Sequence, residues 1–162
     1  AVDAAKRYTE KKNLGILISE RKDIFNDLKV RISEKHFYRA VYEVIMNACK
    51  FSESNSDIII MLHQRDDSVE ISFLNKPLSS EDGDIGIPMG YEYILFEPFF
   101  RMTKNVFEDF DTLDFGLGLT IVEKILMRHK GKVAISNIQD YTDVTRGPVV
   151  KVNCVMTIPR VK

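Results

Sequence analysis

The stretch EKHFYRAVYEVIMNACKFS, residues 34–52, constrains this chain more than any other. Wound at about 100° per residue, it puts Phe37, Val41, Val44, Ile45, Ala48 and Phe51 on one side, so it reads as a long amphipathic helix that must bury that stripe. The next segment supplies a surface to bury it against. SDIIIMLHQRDDSVEISFLN is two strand-like runs joined by an Asp-rich turn at 65–68, the signature of a hairpin. A helix with one apolar side, next to a hairpin with one apolar face, points to a layered α/β domain.

The remaining segments extend that picture. Residues 1–12 have helical composition, and LGILIS (14–19) and LKVRIS (28–33) read as strands, the second by alternation. Between 76 and 112 the periodicity fades, Gly, Pro and Asp accumulate, and a short helix at 91–96 is the one element expected. An irregular stretch of that length in a compact domain is a functional lid or a disordered segment. A second strong helix spans 117–129, and KVAISN and VVKVNCVMTIP close the chain as strands. Strands and helices mix without regular alternation, so one sheet with helices on one face is expected.

At 162 residues and 44% hydrophobic content, the chain holds enough apolar material for one core. A net charge of −1 and a pI near 6.4 provide no overall attraction for nucleic acid or an anionic membrane, so neither is expected as a partner. Cys49 and Cys154 form no CxxC or metal-ligand pattern, which suits a reducing, cytoplasmic compartment. No apolar run reaches the roughly 18 residues of a membrane span, and the start does not read as a signal peptide. The chain opens on Ala1 rather than Met, so it reads as a piece of a longer protein whose membrane attachment elsewhere stays open.

On the long helix, Arg39, Glu43, Asn47 and Lys50 fall in an arc apart from the apolar stripe. A solvated face with an Arg39/Glu43 pair at i, i+4 explains such an arc in most helices. The residue types suggest more. An Asn oxygen is a hard neutral ligand for Mg²⁺, a Lys one turn away supplies a point charge for phosphate, and a carboxylate one turn back can orient or deprotonate a hydroxyl or water.

A second constellation is DFGLGLTIVEKI, residues 114–125. Gly116 and Gly118 stand immediately before a helix whose start offers backbone N–H groups and a partial positive charge, an anion cradle built from backbone. A third, EDGDIGIPMGYEYILFEPFFRM, lies between them. Asp82 can accept a hydrogen bond from an exocyclic amine, Phe96, Phe99 and Phe100 can anchor a lid or pack as satellite core, and Arg101 can reach a phosphate.

In this order, the three stretches resemble the ATP-binding catalytic domain of sensor histidine kinases, the Bergerat fold shared with gyrase, a heat-shock chaperone family and the mismatch-repair ATPases. EVIMNACKFS is similar to the N box, DGDIGIP to the first glycine box, FEPFFR to the F box, and DFGLGLTIVEKILMRHKGKV to the second glycine box with its helix. The resemblance spans about residues 30–159. It implies a two-layer sandwich of one mixed, largely antiparallel sheet with helices on one face and a long ATP lid. It makes Asn47 the magnesium ligand, Lys50 a phosphate contact and Gly86 part of the base pocket. It makes Gly116, Leu117, Gly118 and Leu119 the phosphate-binding backbone. Spacing to the F box assigns the adenine amine to Asp82, whereas the strand end assigns it to Asn75.

The chain departs from the family pattern in three places. Glu43 stands where many histidine kinases have Asn, giving the E-x-x-x-N spacing also found in gyrase-like ATPases, so it is a helper of the acceptor histidine or a hydrolytic base. Asp84 and Asp114 stand where each glycine box has its first glycine, which leaves a degenerate nucleotide-binding regulatory module as an alternative. None of His36, His63 and His129 sits in the family's phosphoacceptor context, and His129 reads as a helix C-terminal residue favourable to the dipole. The resemblance therefore places the acceptor on a separate dimerisation domain, with 1–12 as its connection, and a response-regulator receiver domain as the downstream partner.

Overall fold

Alternation makes one face of the hairpin apolar. In the computed structural model, which describes residues 1–19, 28–79, 85–102, 115–143, 145 and 147–161, that face is buried. Ile58 and Ile60 of β2 (Asp57–Gln64) lie beside Val69, Ile71 and Phe73 of β3 (Ser68–Asn75) in the core. The Arg65 N–H donates to the Ser68 carbonyl at 2.9 Å and closes the expected turn. Beyond β3 runs β5 (Val149–Pro159), whose Cys154, Met156 and Ile158 face the same way, and β4 (Lys132–Asp140) pairs with its outer edge. On the opposite side, β1 (Gly15–Ile18) pairs with β2 in parallel, and all other strand pairs are antiparallel. The strand order is β1-β2-β3-β5-β4, the mixed sheet that the resemblance implied.

Three helices cover the core face: α1 (Val2–Lys12), α2 (Glu34–Phe51) and α3 (Gly118–Arg128). Ser33 starts α2, its hydroxyl accepting the His36 N–H at 3.5 Å, and α2 provides the long connection that a parallel β1/β2 pair requires. Tyr8 of α1, Ile45 of α2, Leu126 of α3 and Phe73 of β3 are each under 2% exposed. Burial of such a side chain stabilises the fold by roughly 1.5–3 kcal/mol.

Three expectations change in detail. The segment 28–33 makes an isolated antiparallel bridge between Val30 and Arg160 rather than a strand, because it must reach the α2 cap at Ser33 almost at once. The helix expected at 91–96 is a 3₁₀ turn, Ile94–Phe96. Phe51, assigned to the buried stripe, is 36% exposed, whereas Met46, Cys49 and Lys50 on other sides of α2 are buried. The last turns of α2 are enclosed from several directions, so burial there does not track one stripe. As expected, 1–12 is helical, and α1 contributes Ala5 and Tyr8 to the common core. None of the described helices is long and apolar enough to cross a membrane.

Candidate functional site

The arc opposite the apolar stripe of α2 meets α3. Arg39 and Glu43 form the i, i+4 ion pair at 2.5 Å, with the Glu43 side chain 15% exposed and Arg39 mostly in solvent. The other Glu43 oxygen, Oε2, lies beside the first residue of α3: a Cβ on Gly118 would sit 2.9 Å from it, 3.5 Å from Asn47 Nδ2 and 3.8 Å from Asn47 Oδ1. A side chain at 118 would therefore occupy the space that Glu43 and Asn47 border. The helix opens at Leu117 with no side-chain cap, and within an α-helix the first N–H groups have no carbonyl partner. Two short motifs far apart in sequence thus face each other, a carboxylate and a carboxamide of α2 against the start of α3.

The aromatic stretch braces that helix start. Gly116 has φ +69°, and a Cβ there would lie 2.5 Å from the Phe100 carbonyl oxygen, so this position requires glycine on both grounds. Phe99, itself at φ 65°, donates its N–H to the Gly116 carbonyl at 3.0 Å. One turn into α3, the buried Thr120 hydroxyl donates to the Phe96 carbonyl at 2.8 Å. Phe99 is 72% exposed and Phe100 half-buried, so this group braces through its backbone more than through ring packing. Arg101 comes next, at the surface.

Asn75 closes β3 on the core face, two residues beyond Phe73, and is 5% exposed. Gly86 has φ +89°, and the next residue, Ile87, is bonded to Asn137 of β4.

A family model for histidine kinase-, DNA gyrase B- and HSP90-like ATPases matches residues 32–156, which include Glu43, Asn47 and Gly118. The chain belongs to this family. Among curated relatives, it is 28% identical over 128 residues to the adaptive-response sensory kinase SasA of Synechocystis sp., covering 78% of this chain and 30% of the relative. It is 30% identical over 116 residues to the sensor protein VanS of Enterococcus faecium, covering 72% of this chain and 28% of the relative. The chain thus spans less than a third of either relative's length. Among solved structures, the nucleotide-free catalytic domain of histidine kinase ThkA aligns with a TM-score of 0.70 at 21% identity, covering 99% of this chain and 89% of that one. ThkA has also been solved in complex with the response regulator protein TrrA, where the match has a TM-score of 0.67 at 20% identity and covers 98% of this chain and 38% of that one.

Within this ATPase domain, Leu117 and Leu119 flank Gly118 at the start of α3. Lys50, in the last turn of α2, is 7% exposed, and its carbonyl accepts a bond from Lys12 at 2.5 Å. Lys12 also bonds the Ser52 carbonyl at 3.1 Å, so α1 caps the end of the N-box helix, a role that nothing in the local pattern of 1–12 indicated. Asp82, Asp84 and Asp114, and with them 80–84 and 103–112 of the stretch expected as a lid, lie outside the described residues. His129 is tied at both ring nitrogens. Nε2 accepts the Ser33 N–H at 3.2 Å, which leaves Nδ1–H to donate to the Ile125 carbonyl at 2.8 Å. The ring therefore bridges the start of α2 and the end of α3, at the helix C-terminal position expected of it.

Proposed function

We propose that this domain binds Mg-ATP and transfers its γ-phosphoryl group to a histidine on a separate dimerisation domain of a two-component sensor kinase, from which a response-regulator receiver domain takes it. The observation that carries this reading is the apposition of Gly118 with Glu43 and Asn47, because a triphosphate needs backbone donors and a cation ligand in one place. In the transfer the γ-phosphorus bonds to an imidazole nitrogen as its bond to the bridging oxygen breaks and ADP leaves. Gly116, Leu117, Gly118 and Leu119 would hold phosphate oxygens through backbone N–H groups, with Lys50 and Arg101 adding positive charge.

Among the described residues no group of three or more His, Cys, Asp or Glu is placed to hold a metal ion. Mg²⁺ takes most of its ligands from phosphates and water and needs few protein oxygens. Asn47 Oδ1 would be one of them, next to the space that a side chain at 118 would occupy. Bound there, the ion supplies charge neutralisation for the phosphates. Glu43, ion-paired through one oxygen and aimed at the α3 start through the other, would orient the attacking group or take its proton. His129, with both nitrogens engaged, supports an acceptor outside this chain.

Calorimetric titration of the chain with Mg-ATP is the first test; the absence of binding sinks the reading. In the full-length kinase, Glu43→Gln is expected to keep nucleotide binding and lose phosphohistidine formation by about a hundredfold or more. The orientation of Oε2 toward the helix start also favours a second reading, in which Glu43 activates water. Loss of phosphate release with phosphohistidine formation retained would decide for it.

A further inference from the structure

Strand register aligns four residues across the sheet. Ile58 pairs with Asn75, Asn75 with Val152, and Val152 with Asn137, so Ile58, Asn75, Val152 and Asn137 form one row on β2, β3, β5 and β4. Directly paired residues share a face, and the adjacent row on this face holds Ile60, Phe73, Cys154 and Ile135, all in or against the core. The row is therefore where the core face gives way to two carboxamides, with the Asn75 and Asn137 backbones about 10 Å apart across Val152, two strand spacings.

Asn137 does something specific there. Its Oδ1 accepts the Ile87 N–H at 2.9 Å and its Nδ2 donates to the Ile87 carbonyl at 2.8 Å. One side chain thus satisfies both backbone groups of a residue, as a neighbouring strand would. The approach depends on Gly86, where a Cβ would lie 2.4 Å from Oδ1. Ile87 is 6% exposed, although its segment belongs to neither sheet nor helix and it lies outside the main core cluster.

We propose that Asn137 is a positioning residue for nucleotide binding: it holds Gly86 and Ile87 against the Val152 row, so that the base pocket has a fixed width opposite Asn75. This rests on the Mg-ATP reading above. The side chain need not touch the nucleotide. It replaces the ladder partner that the loop lacks, and without it Gly86 and Ile87 would have to order themselves on the base at a cost in affinity.

The test is calorimetry with Mg-ATP on wild type, Asn137→Ala and Asn137→Asp, with melting curves alongside. Asn137→Ala is expected to raise Kd about tenfold with binding stoichiometry unchanged, the scale of one or two lost hydrogen bonds. A merely structural role would instead lower stoichiometry, through a smaller folded fraction, with Kd unchanged. Asn137→Asp keeps the acceptor for the Ile87 N–H but sets a carboxylate against its carbonyl. It is expected to raise Kd at least as far, and it carries the test if the alanine variant does not fold. Kd within twofold of wild type in a folded variant overturns the proposal and leaves the nucleotide reading intact. Wild type that does not bind Mg-ATP overturns both.

Discussion

Gly118 and Glu43 are packed so closely that a single added carbon on the glycine would reach 2.9 Å from the carboxylate oxygen Oε2. That separation leaves no room for a side chain unless Glu43 moves, and Asn47 borders the same space. The contact joins α2 to the start of α3, and it makes residue 118 a sensitive probe of that junction.

Gly118→Ala separates fold from function. The position lies in α3 with no positive φ, so alanine is expected to leave stability unchanged or raise it by about 0.5–1 kcal/mol, its helical advantage over glycine. Displacing Glu43 and crowding Asn47 should cost Mg-ATP affinity about tenfold or more. Denaturant unfolding and calorimetry on the same sample read both quantities. Unchanged affinity would place the phosphates elsewhere.

Gly116→Ala should behave in the opposite way. At φ +69° with the Phe100 carbonyl 2.5 Å from the new carbon, the clash is with backbone, which cannot rotate aside. A loss of about 2 kcal/mol in unfolding free energy is expected, beyond the usual cost of alanine at positive φ. A variant as stable as wild type would show that the brace between Phe99, Phe100 and the α3 start yields readily.

Base recognition is open to direct test at the two candidate positions. Asn75 is 5% exposed on the core face, in the row that Asn137 completes. Asn75→Ala is therefore expected to lower the preference for ATP over GTP about tenfold, the worth of a hydrogen bond to the exocyclic amine, while Asp82→Ala retains it. The reverse pattern in nucleotide competition would return the role to Asp82.

The buried thiols make stability fall in alkali. Burial pushes Cys154 up to about 12 and Cys49 up to about 11, from an ordinary 9.0. Below that ordinary value folded and unfolded chains both keep the protons and the thiols add no pH dependence. Above it the unfolded chain releases protons that the folded one retains, so stability is lost as pH rises through 9.0 toward about 11 and about 12. The limiting slope is about 1.4 kcal/mol per pH unit for each thiol. Urea unfolding from pH 8 upward should show a shallower decline in Cys154→Ala than in wild type. The comparison cancels the contribution of Lys12, which burial lowers and which acts with the opposite sign. Parallel slopes would count against a protonated buried Cys154.

Local periodicity identified most of the secondary structure, because a period near two or near 3.6 is imposed by residues a few places apart. It assigned α2, α3, the β2–β3 hairpin and both closing strands. It was least informative where position depended on a distant partner. The segment around Val30 has a strand's alternation but the surroundings of a single bridge, and Met46 and Lys50 lie off the apolar stripe yet are buried by elements from elsewhere in the chain.

The sequence by itself determined the order of the elements, the apolar faces that had to meet, and one glycine-bearing helix start of the kind that approaches an anion. Only the tertiary structure decided that Gly118 faces Glu43 and Asn47, that His129 bridges Ser33 and Ile125, and that Asn137 takes both backbone groups of Ile87. Helix and strand propensities act over a turn or a pleat and leave their mark in neighbouring residues. A contact between two elements depends on the register of the sheet and the packing of helices upon it, quantities that exist only once the whole core has closed.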